Sequence, residues 1–228
     1  MDTTVLITIH SGGFSRKSNS LEYLEAACAL HPDILEVDVR ATKDGEIVLS
    51  HDVYHPIQQS SCQELRSGCS PLLSLQTVLS NCLEQAICVN LDIKEIDAID
   101  SVCALLASRT YQDTVVFSGC QEAELARLFS LMPQARALYN ADRWDTSEPY
   151  LQYASAMVER TLASGAFALN ICHEDLLEPL VRICHSKNLP LYVWTVDEAV
   201  RMRQLLQMGV SSITTHDVEL LRAVLAEH

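Results

Sequence analysis

Residues 33–52 read DILEVDVRATKDGEIVLSHD. Ile34 to Val39 is an apolar, β-branched run of strand length, and alternate residues of a strand share a face, so Glu36 and Asp38 point the same way. Asp44-Gly45 marks a turn, after which Ile47 to Leu49 forms a second, short extended piece that closes on His51-Asp52. Outward from this stretch, comparable runs recur at Val5 to His10, Cys88 to Ile93, Thr114 to Ser118, Arg136 to Tyr139, Ala168 to Ile171, Leu191 to Val196 and Ser211 to Thr214, making eight with Ile34 to Val39. Segments with helical spacing follow them: Leu21 to Leu30, Leu72 to Leu83, Ile96 to Ala107, Glu122 to Leu131, Tyr150 to Leu162, Leu176 to Ser186, Glu198 to Met208 and Val218 to Ala226. Eight strand–helix units in 228 residues predict an α/β fold, a (β/α)₈ TIM barrel, with an open doubly wound sheet as competitor. Nothing marks a second domain, so residues 1–228 read as one domain with a small polar insertion at about 44–70. Ser70-Pro71 reads as one helix start, Asp197 as the cap of the helix through Met208, and Gly209 as its stop.

The balance of 16 basic against 30 acidic residues, a net charge of −14, excludes a general nucleic-acid binder, which needs clustered Lys and Arg. No run approaches the roughly 20 apolar residues of a membrane helix, and the first ten residues carry no signal-peptide pattern. Nine cysteines without a CxxC pair, several inside apolar runs, read as buried free thiols of a reducing cytoplasm.

Barrel interiors are filled with branched apolar side chains, so ionisable residues at the C-terminal ends of strands are expensive unless they do chemistry or hold a metal. Several such residues interrupt the strands: His10 ends the first, Glu36 and Asp38 share a face of the second, and Asp92 and Lys94 share a face of the third. Three carboxylates converging at one rim repel one another and raise each other's pKa unless a cation joins them. An all-oxygen set suits Mg²⁺ or Ca²⁺ better than zinc.

The ordered set ITIHSGG (7–13), residues 33–52, VNLDIK (89–94), LYVWTVDE (191–198) and GVSSITT (209–215) resembles the glycerophosphodiester phosphodiesterase family over nearly the whole chain. That family folds as a (β/α)₈ barrel, in agreement with the count of units. The resemblance implies that Glu36, Asp38 and Asp92 bind a divalent metal, and that His10 and His51 form the general acid/base pair. It implies that Lys94 contacts phosphate and that Trp194 walls the pocket on the leaving-group side. The implied reaction is hydrolysis of a glycerophosphodiester to an alcohol and glycerol 3-phosphate, the substrate's own neighbouring hydroxyl commonly acting as nucleophile through a cyclic phosphate.

Four positions depart from the family pattern. Asp92 stands where Glu is usual, Ser11 where an Arg follows the first His, Ser18 where a Glu is usual, and His216 where Asp is common. These departures keep two other readings in play. One is a silent barrel that binds a phosphorylated ligand, and the other is a phosphodiesterase for lysophospholipid or phosphoinositide-type substrates. The partner expected in each case is a small molecule rather than nucleic acid or a membrane.

Overall fold

The computed structural model describes residues 5–11, 20–51, 57–68, 73–107 and 114–227. The described residues form nine strands: β1 (Leu6–Ile9), β2 (Ile34–Ala41), β3 (Ile47–Leu49), β4 (Cys88–Ile93), β5 (Val115–Ser118), β6 (Leu138–Asn140), β7 (Ala168–Cys172), β8 (Leu191–Trp194) and β9 (Ser212–Thr215). The helices are α1 (Leu21–Ala29), α2 (Cys62–Gly68), α3 (Leu75–Glu84), α4 (Ala98–Ala107), α5 (Glu122–Leu131), α6 (Tyr150–Ser164), α7 (Glu178–Ser186), α8 (Ala199–Gln207) and α9 (Val218–Ala226). The strands run in the order β5-β4-β2-β1-β9-β8-β7-β6, parallel throughout except for β3, which pairs antiparallel with β2 as the Asp44-Gly45 turn predicts. An isolated bridge between Phe117 and Ala137 joins β5 to β6, so eight parallel strands make a nearly closed barrel with helices alternating between them. The (β/α)₈ expectation is met.

One parity rule organises the barrel. Odd-numbered strand residues such as Leu35, Val37, Leu91, Phe117, Ile171 and Val193 join the large core shared with the helices. Even-numbered ones turn to the axis. At the bottom of the barrel these are apolar, with Ile34, Leu138, Ala168 and Tyr192 forming a separate small cluster. Higher up they are polar: Thr8 and Ser212 pair through their hydroxyls at 3.0 Å, and Glu36, Asn90 and Asn170 are buried around them. The interior is thus an apolar plug beneath a polar chamber, and the chamber opens at the strand C-termini, where barrel sites lie.

Several local signals resolve differently from the sequence reading. Ser70 and Pro71 lie outside the described residues, and the helix they were expected to start begins at Leu75 behind Ser74, whose hydroxyl accepts from the Thr77 amide at 3.2 Å. Asp197 does not cap α8; its carboxylate is drawn to the end of β9 instead. Gly209 does stop α8, with φ +71°, a left-handed conformation that costs glycine little. The polar insertion contains a helix, α2, whose first amide, Cys62 N, donates to Asp44 Oδ1 at 3.0 Å. All eight described cysteines are free thiols, and seven are buried.

Candidate active site

The acids of β2 and β4 come together because their ladder holds Glu36 opposite Asn90 and Asp38 opposite Asp92 in register. One carboxylate oxygen from each of Glu36, Asp38 and Asp92 lies within 4.8 Å of the others. Glu36 is 4% and Asp38 0% exposed, so these charges sit where desolvation is severe. Burial pushes the Glu36 carboxyl well above its ordinary range, and the neighbouring Asp38 and Asp92 charges push it further. The cluster is partly compensated. Lys94 Nζ pairs with Asp38 Oδ1 at 2.7 Å and with Asp92 Oδ2, and this pairing outweighs its own burial and raises its ammonium pKa. Ser11, in the place where the family pattern has Arg, donates its amide to Glu36 Oε2 at 2.7 Å and its hydroxyl to Asp38 Oδ2 at 2.6 Å. Ser118 donates to Asp92 Oδ1 at 3.0 Å.

One monovalent ammonium against three carboxylates leaves a deficit of positive charge. The donor set is all oxygen and hard, so the residues fit a Mg²⁺- or Ca²⁺-type ion, and Glu36, Asp38 and Asp92 would hold it. Gly119 is essential to this corner. Its φ is +70°, and a Cβ placed there would come within 2.3 Å of Ile93 O and 2.6 Å of Asp92 Oδ1.

His10 follows β1 and is held on three sides. Its Nδ1 lies 2.6 Å from the Ser11 carbonyl, which can only accept, so Nδ1 carries the proton and Nε2 is the lone-pair nitrogen. The Tyr23 hydroxyl donates to the His10 carbonyl at 2.6 Å, and the His10 amide donates to Thr215 O at 3.0 Å. Burial lowers the His10 pKa, assisted by the charge of His216 and Lys94 and opposed by its bond to Ser11 and by Asp38. His51, in contrast, is exposed, and it is placed through the hairpin. Arg40 donates to Ser50 O at 3.1 Å and to His51 O at 3.3 Å, and it pairs with Glu95 at 2.6 Å.

His10, Glu36, His51, Asp92, Lys94 and Trp194 all line one cleft of about 200 Å³, and Asp38 lies behind them against Lys94 and Ser11. The structure therefore brings every site residue read from the sequence to one place. Ser18, like Arg16, Lys17 and Asp52, lies outside the described residues. The sequence reading missed the far wall: Asn90, Ser118, Asn140, Asn170 and Thr214 also line the cleft. Each is an even-numbered strand residue, so the same-face rule that found Asp92 and Lys94 would have found them too. Asn90 Oδ1 and Trp194 Nε1 are buried without a hydrogen-bond partner among the described residues, an acceptor and a donor left for a ligand.

The chain matches the Glycerophosphoryl diester phosphodiesterase family over residues 10–68 and 73–220. It is 22% identical to a glycerophosphodiester phosphodiesterase of Arabidopsis thaliana over 97% of this chain and 74% of that protein. It is 21% identical to one of Caldanaerobacter subterraneus over 95% of this chain and 96% of the relative. Among solved structures it resembles an Oleispira antarctica phosphodiesterase in complex with the product sn-glycerol-3-phosphate, with a TM-score of 0.84 and 17% identity, covering 98% of this chain and 97% of that one.

Proposed function

Because this chain belongs to the Glycerophosphoryl diester phosphodiesterase family, we propose that it hydrolyses glycerophosphodiesters to an alcohol and glycerol 3-phosphate by histidine acid–base catalysis at a divalent-cation site. The observation that carries this reading is the convergence of Glu36, Asp92, Lys94, His10 and His51 on one cleft, with Asp38 behind them. Glu36, Asp38 and Asp92 would hold the divalent cation, and when bound it would neutralise charge that grows on the phosphoryl oxygens.

The protein's own groups divide the remaining work. Lys94 is close enough to the acids to stay charged at neutral pH, and it offers the phosphate an ammonium beside the carboxylates. His10, whose pKa burial lowers, is neutral at pH 7 with Nε2 unprotonated, the state a general base requires. It takes the proton of the attacking hydroxyl as the new P–O bond forms. His51, solvent-exposed in the same cleft, returns a proton to the departing alkoxide as the old P–O bond breaks, so one proton is removed and one supplied.

The cleft favours a small polyol over a lipid. Among the described residues its walls are amides, hydroxyls and charges, with Trp194 as the one large aromatic surface, and the partnerless Asn90 and Trp194 atoms suit substrate hydroxyls. An acyl chain would find little apolar wall. The partner is a small molecule; among the described residues no helix is long and apolar enough to cross a membrane. The free thiols support a reducing compartment such as the cytoplasm.

The test is release of glycerol 3-phosphate from glycerophosphocholine with Mg²⁺ or Ca²⁺ and with EDTA. Turnover that needs the metal is expected. Absence of metal-dependent turnover across a panel including lysophospholipid and glycerophosphoinositol would overturn the reading in favour of a silent binding barrel.

A further inference from the structure

Asp197 and His216 form a pair that the chemistry above does not use. Asp197 follows β8 and stands one residue before Glu198, the N-cap of α8, and neither residue caps the helix through its side chain. Asp197 instead turns across to β9. Its Oδ1 accepts from the Thr215 hydroxyl at 3.0 Å and from the His216 amide at 2.8 Å, and its Oδ2 lies 2.7 Å from His216 Nδ1. Burial would raise the Asp197 carboxyl, but the bonds from His216 outweigh it and hold the pKa below its ordinary value. An ionised carboxylate only accepts, so Nδ1 of His216 is the donor.

The ring is held against the catalytic wall. His216 meets His10 edge-on, with centroids 4.7 Å apart and planes at 62°. The same β-rung supports both, since the His10 amide donates to the carbonyl of Thr215, the residue before His216. Among the described residues the His10 ring itself has one hydrogen bond, its Nδ1 contact to Ser11 O, the other two contacts of His10 being made by its backbone. A ring tethered at one atom still rocks about that bond, and a rigid neighbour packed on its face or edge removes that freedom.

We propose that His216, clamped by Asp197, is a positioning residue that holds the His10 imidazole with Nε2 toward the cleft. This rests on the reading of His10 as an acid–base group. His216 itself touches no reacting atom. Its position is one where the family pattern commonly has Asp, so the device belongs to this chain.

Two variants separate the ring from the clamp. His216→Asn keeps a donor for Asp197 and removes the ring that meets His10, whereas His216→Phe keeps a ring and loses the clamp. With saturating metal and glycerophosphocholine as substrate, His216→Asn is expected to lose about tenfold or more in kcat with KM little changed, the size expected for a misaligned reacting group. Asp197→Asn should lose a comparable factor, and the Asp197→Asn/His216→Asn double variant no more than either alone. His216→Phe should keep more of kcat than His216→Asn. Histidine ¹⁵N NMR of the unliganded protein gives a readout that needs no turnover: the His10 signals should broaden or split in His216→Asn and stay sharp in the wild type. Unchanged kcat and unchanged His10 signals in His216→Asn would overturn the proposal. So would a fall in kcat only in step with loss of folded protein, which would make the pair a structural tie between β8 and β9. If the wild type turns over no phosphodiester, the proposed function fails, while the NMR comparison still decides the positioning.

Discussion

Two arcs of the same barrel present polar side chains to one cleft in very different ways. Toward the C-terminal ends of β1, β2 and β4 the cleft is mostly ionisable, with His10, Glu36, Asp38 and Asp92 joined by Lys94 and only Asn90 neutral among them. On β5, β6 and β7 the lining residues are neutral: Ser118, Asn140 and Asn170. Both arcs obey the same parity, and both bury polar groups that would otherwise be costly. The charged arc is cross-linked by ion pairs and by Ser11, while the neutral arc is linked by amide contacts, with Asn140 Oδ1 accepting from Gly119 N at 2.9 Å and from Asn170 Nδ2 at 3.2 Å. A phosphodiester has two kinds of surface, an anionic centre and hydroxylated arms, and the division of the barrel matches that division.

The comparison breaks most visibly at Lys94. Lys94→Met leaves Asp38 and Asp92 without their ammonium, and stripping one partner from a buried pair costs about 3–5 kcal/mol. If Lys94 contacts the phosphate as proposed, turnover should fall by roughly 100-fold or more with its loss. Thermal unfolding in EDTA and steady-state kinetics check both, and an unchanged Tm would show that the ammonium does not hold the cluster.

Gly119→Ala attacks the junction of the arcs. The added methyl meets Ile93 O and Asp92 Oδ1 at under 3 Å in a left-handed conformation, so the end of β5 must shift. A destabilisation of about 2–4 kcal/mol is expected, together with weaker binding of the metal in calorimetric titration. A wild-type metal affinity would mean that Asp92 stays in place without this glycine.

Asn170→Leu sharpens the contrast, because it changes the neutral arc alone. It should raise KM for glycerophosphodiesters by about tenfold while leaving metal affinity as it was. A matching loss of metal affinity would erase the distinction between arcs.

The smallest effect lies outside the cleft. The Arg160 guanidinium bonded to Glu122, a contact shared by Tyr139 on β6, pulls the Glu122 carboxyl down to about 2. A depressed carboxyl contributes stability that is present above its unfolded pKa of about 4.3 and is lost as pH falls toward the folded value. Both partners are more than a third exposed, so Glu122→Gln should cost under about 1 kcal/mol at pH 7 and progressively less as pH falls from about 4 toward 2, read from denaturant midpoints.

The charged arc was legible in the sequence and the neutral arc was not, for a physical reason. Glu36, Asp38, Asp92 and Lys94 break aliphatic runs, and a charge inside such a run is improbable without a task. Asn140 closes β6, where Asn is ordinary turn chemistry, and Asn170 in the middle of β7 is a lone uncharged amide, so neither raises an alarm until the parity of all eight strands is known. The capping reading of Asp197 failed because a local rule competed with a partner nineteen residues away, His216, which only the closed barrel brings near. The start at Ser74 rather than Ser70 is a milder case, since either hydroxyl suits an N-cap and the packing of Leu75, Val78, Leu79 and Cys82 selects between them.

The closure of the barrel is uneven. β2 and β4 share a six-rung ladder, whereas β5 and β6 meet at one bridge, with backbone bonds from Phe117 N to Arg136 O and from Asn140 N to Cys120 O. In the language of hydrogen exchange, this seam is where the wall can open without global unfolding. Breathing there would spread Ser118 from Asn140 and leave the acid ladder shut.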